Sequence, residues 1–154
     1  MFNFSVKGEY AVRAILVLSL HPGEDPLQVK SIARREGISF RFLEQVMSLL
    51  KKEGFVESVR GPRGGYRLAI SPDQILLGDV LQAVEGSLVS VSPSEKRQRL
   101  PSGFEKKRIE ALVLQEVWAE VNDALKEHLD SISFADLCER KRAREEEQVL
   151  MFHI

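Results

Sequence analysis

Between Ser58 and Leu68 the chain reads Ser-Val-Arg-Gly-Pro-Arg-Gly-Gly-Tyr-Arg-Leu. Two short β-prone runs flank a turn that holds Arg60, Gly61, Pro62, Arg63, Gly64 and Gly65. Such a turn predicts a hairpin with a cationic tip. Arginine can enter a narrow, negatively charged minor groove. Glycines without a Cβ let the tip approach a phosphate backbone closely, and Pro62 lowers the cost of ordering it. Just upstream, Arg41, Glu44, Gln45, Ser48, Lys51 and Lys52 share an arc roughly 120° wide at ~100° per residue. Gln45 can present a bidentate amide to adenine, Glu44 can accept from the cytosine amino group, and Arg41 can pair with guanine. Lys51 and Lys52 lie toward the helix end and suit phosphates. A carboxylate near phosphates is electrostatically costly, so Glu44 either reads a base or orients an arginine. The plainer alternatives are a surface ion pair of Glu44 with Lys51 or Arg41, a solvated helix face, and an ordinary hairpin turn.

The elements that would position these side chains follow from periodicity and punctuation. Ser5 to Leu20 reads as a helix with Tyr10, Ala11, Ala14, Ile15 and Leu18 along one stripe, ended by His21-Pro22-Gly23. Leu27 to Glu36 is a shorter helix carrying Val29, Ile32 and Ala33 inward. Gly37 suits a C-terminal cap of positive φ, with Ile38 plugging the turn. Ser39 is a good N-cap for a third helix that runs to about Glu53 and stops at Gly54. A short helix, a tight glycine turn and a longer helix make a helix-turn-helix. Phe55–Val59 and Tyr66–Ile70 supply the strands of the wing, and Leu76–Glu85 forms another helix ending at Gly86.

Residues 87–103 show little periodicity and read as a loop. From Phe104 to about Ile132 runs the longest helix, with Val113, Leu114, Val117, Trp118, Val121, Leu125, Leu129 and Ile132 over about 160° of arc. So wide a stripe exceeds the need of one small domain and suggests contact with a second subunit. The tail from Glu139 is strongly charged before it ends in Val149-Leu150-Met151-Phe152.

The chain has 154 residues and a net charge of −1, which conceals an asymmetry. Residues 1–70 hold 11 Lys/Arg against 7 Asp/Glu, or +4, and residues 71–154 hold 11 against 16, or −5. A basic first half suggests a polyanionic partner. No apolar run is long enough to span a bilayer and the N-terminus does not resemble a signal peptide, so the expected location is the cytoplasm, with no membrane partner. The single cysteine, Cys138, excludes an internal disulfide and a multi-cysteine metal site within one chain. His21, His128 and His153 are scattered, with no nucleophile or metal-ligand spacing, so no enzyme constellation emerges.

Several short runs resemble the Rrf2 family of bacterial regulators. They are Ser5-Val6-Lys7-Gly8-Glu9-Tyr10-Ala11, Gly37-Ile38-Ser39, Phe42-Leu43-Glu44-Gln45, Lys52-Glu53-Gly54-Phe55-Val56, Ser58-Val59-Arg60-Gly61-Pro62 and Gly64-Gly65-Tyr66. Further along stand Gly78-Asp79-Val80, Ala83-Val84-Glu85-Gly86 and Asp130-Ser131-Ile132. The resemblance spans about residues 5–137. It implies a winged helix plus a long dimerisation helix, and operator binding that is usually repressive. Glu44, Gln45 and Arg60 match positions that family members use at DNA, while Arg41 stands where some members carry a small serine. Cluster-binding members carry three cysteines in the loop before the long helix. Here Ser90, Ser92, Ser94 and Ser102 occupy that region, and hydroxyls are poor ligands for iron–sulfur clusters. The chain most resembles the cluster-free branch.

The expected fold is therefore mostly α with a small β-wing, a winged helix-turn-helix domain plus a long C-terminal dimerisation helix. The division is 1–86 for the DNA-binding domain, 87–103 for the loop, 104–137 for the dimerisation helix and 138–154 for a charged tail. The candidate DNA-binding residues are Lys7, Tyr10, Ser39, Arg41, Glu44, Gln45, Ser48, Lys51, Lys52, Arg60 and Arg63. The candidate dimerisation residues are Val113, Val117, Trp118, Val121 and Leu125. The expected function is a homodimeric repressor on a pseudo-palindromic duplex operator, without metal or cofactor and controlled by a small molecule or a protein. Two rivals are a cluster-dependent sensor using Cys138 with non-cysteine ligands across the dimer, and a module that binds an acidic protein instead of DNA.

Overall fold

A computed structural model describes residues 4–86 and 105–153. Ser5 caps α1 (Val6–Leu20) by accepting a hydrogen bond from the Gly8 amide at 3.1 Å. Ala11, Ala14, Ile15, Val17 and Leu18 form its buried side. The second helix, α2 (Val29–Glu36), starts two residues later than its sequence pattern suggests. Leu27 instead forms a β-bridge with Tyr66, its amide and carbonyl each bonded to the Tyr66 backbone at 2.8 Å. Gly37 ends α2 at φ 65°, and the buried Ile38 donates its amide to the Ala33 carbonyl at 2.9 Å. This is the left-handed cap that the Gly-Ile pair predicts.

Helix α3 (Phe40–Lys52) begins after Ser39, whose side chain makes no capping bond although it stands at the N-cap. Leu43, Val46, Met47 and Leu50 are buried beneath it. Strands β1 (Val56–Val59) and β2 (Gly65–Leu68) pair antiparallel, from Val56 opposite Leu68 to Val59 opposite Gly65. After a 3-10 turn at Pro72–Gln74 comes α4 (Leu77–Glu85), which packs across α1. Glu85 explains part of the Ala83–Gly86 motif. Its Oε1 accepts from the Ser5 amide at 2.9 Å and the Ser5 hydroxyl at 2.6 Å, tying the end of α4 to the start of α1. Gly8 leaves room for that carboxylate, because a Cβ there would lie 2.1 Å from Glu85 Oε1.

The C-terminal region departs from the expected single long helix followed by a charged tail. The long helix α5 spans Glu105–Asp130, and a separate helix α6 (Phe134–Phe152) occupies what reads as the helix end and a charged tail. Ser133 and Asp136 form a reciprocal capping box that starts α6. The turn between them is stitched to the α4 entrance, with Leu77 N–H on the Ile132 carbonyl at 2.8 Å and Phe134 N–H on the Ile75 carbonyl at 2.9 Å. Phe134 is fully buried in the common core and α6 packs on α1. The physical reason is burial: Phe134 and Cys138 anchor the first turns of α6 in apolar surroundings, while most of the charged residues that follow stay exposed. The expected loop at 87–103 lies outside the described residues.

Candidate nucleic-acid interface

Helix α3 sorts its side chains cleanly. Leu43, Val46, Met47 and Leu50 face the core, while Arg41, Glu44, Gln45, Ser48, Lys51 and Lys52 are exposed. Among the described residues, the side chains of Arg41, Glu44, Gln45 and Ser48 make no hydrogen bond or ion pair. The surface ion pair of Glu44 with Lys51 or Arg41 is therefore not formed. Lys51 behaves differently, donating from Nζ to Ser58 Oγ on β1 at 2.6 Å. It links the end of α3 to the wing and retains two further donors for another acceptor.

The wing projects beside this face. Arg60 and Arg63 lie exposed in the turn between the strands, without a partner among the described residues. Gly64 N–H closes the turn on the Gly61 carbonyl at 2.9 Å, and a Cβ on Gly64 would lie 2.2 Å from the Val59 carbonyl oxygen. Side chains alternate across the ribbon. Glu57 and Arg67 pair on one face, Nε to Oε1 at 2.5 Å, while Ser58 and Tyr66 stand opposite one another on the other. Tyr66 thereby joins Val29, Arg41, Glu44, Gln45 and Ser48 around one concavity of about 370 Å³. Neither Tyr66 nor Val29 is a site candidate from sequence. The signal lay in the Gly-Gly-Tyr run and in the strand alternation, but placing both beside α3 needs the tertiary fold.

The other candidates are less alike. Ser39 is exposed at the start of α3 and Lys7 is half-buried near the start of α1. Tyr10 is engaged in packing, edge-on to Phe42 with ring centroids 5.5 Å apart and with the Arg13 guanidinium 5.9 Å from its ring centre. Arg13 also donates to Glu36 at 3.1 Å, fastening α1 to α2. Among the dimerisation candidates, Val113, Val117, Trp118 and Val121 are all exposed, Trp118 by 44%, and Leu125 is half-buried.

Helix α2, the Gly37 turn, α3 and the adjoining β-ribbon define a winged helix-turn-helix protein. The chain matches the Rrf2 family, described as iron-dependent transcriptional regulators, over residues 4–140. It is 35% identical to the HTH-type transcriptional regulator CymR of Bacillus subtilis, over 99% of each chain. It is 38% identical to the regulator IscR of Aliivibrio salmonicida, over 85% of this chain and 74% of that one. The solved structure of CymR, the global cysteine regulator of B. subtilis, superposes with a TM-score of 0.69 at 36% identity and covers 91% of this chain and 98% of its own. The chain belongs to the Rrf2 family of transcriptional regulators. These relatives are named as regulators rather than enzymes, and no helix among the described residues is long and apolar enough to cross a membrane.

The iron dependence in the family description meets an unsuitable donor set here. The one cysteine, Cys138, is buried on α6 at 4% exposure, and burial pushes its thiol above the ordinary range despite Arg142 and Lys141 nearby. No group of three or more His, Cys, Asp or Glu side chains converges among the described residues. A cluster held chiefly by thiolates does not fit one sequestered thiol per chain.

Proposed function

We propose that this regulator is a homodimeric, sequence-specific repressor that binds duplex DNA without an iron–sulfur cluster and is switched by a small molecule or a protein partner. The observation that carries the DNA-reading part is the unpartnered polar face of α3. The side chains of Arg41, Glu44, Gln45 and Ser48 have no polar partner among the described residues, so their hydrogen-bonding capacity is available for base edges. In this reading α3 enters the major groove, Arg60 and Arg63 reach the adjoining minor groove, and Lys7, Ser39, Lys51 and Lys52 meet phosphates. The packing of Tyr10 favours a supporting role for it at the edge of this surface. The apolar side of α5, exposed in the single chain, supports a second copy as its cover.

Footprinting of the purified protein on the DNA upstream of its own gene tests the reading, with sedimentation to give the mass of the bound species. The expected result is one protected pseudo-palindrome with half-sites about one helical turn apart, or a multiple of it, bound by a dimer whose affinity falls steeply with salt. Binding to an acidic protein with no protected duplex would favour the interaction module instead.

A further inference from the structure

We infer that Tyr66 belongs to the DNA-binding surface, its phenolic hydroxyl donating to a backbone phosphate at the wall of the groove that α3 enters. The inference rests on the reading of α3 as the groove-reading helix. Three observations lead to it. First, the Tyr66 backbone stands opposite Ser58 on β1 and commits both its N–H and its carbonyl to Leu27, in two 2.8 Å hydrogen bonds. A backbone clamped in this way fixes the face of the ribbon from which the side chain leaves. Second, Tyr66 lines the same concavity as Arg41, Glu44, Gln45 and Ser48, with its ring packed against the core. Third, its hydroxyl has no hydrogen-bond partner among the described residues and is not sealed in the interior. A half-buried tyrosine usually finds a partner for its hydroxyl, and here the fold supplies none.

Position decides what that partner is. Side chains on the outward arc of α3 point at the groove floor, where base edges lie. Tyr66 stands to the side of the helix, on the second wing strand and one residue pair from the turn, and with α3 in the groove that flank would meet the sugar-phosphate wall. A phenol is an uncharged donor, so it can bind a phosphate oxygen without displacing a counterion. That separates its signature from those of Lys52 or Arg60, whose loss would flatten the salt dependence, and from that of Gln45, whose loss would act at one base pair.

The test is Tyr66→Phe, which keeps the ring and removes only the hydroxyl. Binding is measured by fluorescence anisotropy at several salt concentrations. One duplex is selected by the wild-type protein from a random-sequence library, and a second is unrelated to it. The expected result is affinity about tenfold lower on both duplexes, the size of one hydrogen bond to a charged acceptor, with unchanged salt slope and unchanged melting temperature. Unchanged affinity overturns the inference. So does a loss confined to the selected duplex, which would mark a base reader, or a lower melting temperature, which would make the hydroxyl part of the fold. If the wild-type protein binds no duplex, the proposed function fails and this inference falls with it. If the wild type binds and Tyr66→Phe matches it, only the inference fails.

Discussion

A carboxylate at position 44 sits among cations on a surface that would face phosphates, and no neighbouring cation neutralises it among the described residues. A surface ion pair would have made Glu44 indifferent to DNA sequence; its unpaired state makes base reading the stronger account. Glu44→Ala should leave overall affinity nearly intact and erase about 1–3 kcal/mol of discrimination at one base pair. Arg60→Ala should instead weaken binding by about 1–3 kcal/mol. Titration of a panel of single-base operator variants separates the two, and equal discrimination by wild type and Glu44→Ala would refute the base-reading role. Cys138 poses the opposite case, a group withdrawn from chemistry. Burial raises its thiol above the ordinary value, so the neutral form is favoured in the folded protein. Its contribution to stability is complete below the unfolded pKa and is lost as pH rises through the folded one. Alkylation by iodoacetamide at mildly alkaline pH should accordingly be at least about tenfold slower in the folded protein than in denaturant. Equal rates would mean that the thiol is open and available as a sensor.

The wing depends on an interaction between elements distant in sequence. Gly65 lies at φ 155°, and a Cβ there would be 2.3 Å from the Leu27 carbonyl oxygen and 2.5 Å from its carbon. Gly65→Ala must move backbone, sacrificing the paired Leu27–Tyr66 hydrogen bonds. A loss of about 2–4 kcal/mol is expected from two bonds plus local strain. Gly61, at φ 113° with nothing near its Cβ position, provides the control, since alanine there should cost only about 1–2 kcal/mol of backbone strain. Chemical denaturation of both variants ranks them, and equal losses would show that the Leu27 contact contributes nothing. The same contact marks a limit of what the sequence discloses. Helices α1, α3 and α4, the Gly37 cap and the wing are legible because periodicity and capping act within a few residues. The start of α2 is misplaced because Leu27 is claimed by Tyr66, a partner that no local pattern names. Helix α6 is obscured by its own surface: Glu139, Arg140, Lys141, Arg142 and Arg144–Glu147 read as a solvated tail, while burial acts through Phe134 and Cys138 at one end. Ser133 and Asp136 were its readable signature. The polar arc of α3 needs only helical geometry, whereas its concave flank needs α2, α3 and β2 together.

At the scale of the whole molecule, the two halves of the chain pose complementary physical problems. The first 70 residues carry +4 and the remainder −5, so a single copy offers DNA only a modest field. The C-terminal half leaves Ile109, Leu112, Val113, Leu114, Val117, Trp118 and Val121 exposed along α5, an apolar surface that water disfavours. Pairing two chains along α5 would address both problems, covering the stripe and joining two basic domains so that the second half-site is engaged intramolecularly. Because none of these side chains belongs to the core formed by the described residues, charge introduced among them should break association without unfolding the winged domain. Trp118→Glu is the sharpest form of the test. It should sediment as a monomer, retain the helical circular dichroism of the parent, and bind a two-half-site operator about 100-fold or more weakly. Its affinity for an isolated half-site should match that of the parent domain. A Trp118→Glu protein that remained dimeric and bound with parental affinity would place the interface elsewhere and leave the stripe without a role in DNA recognition.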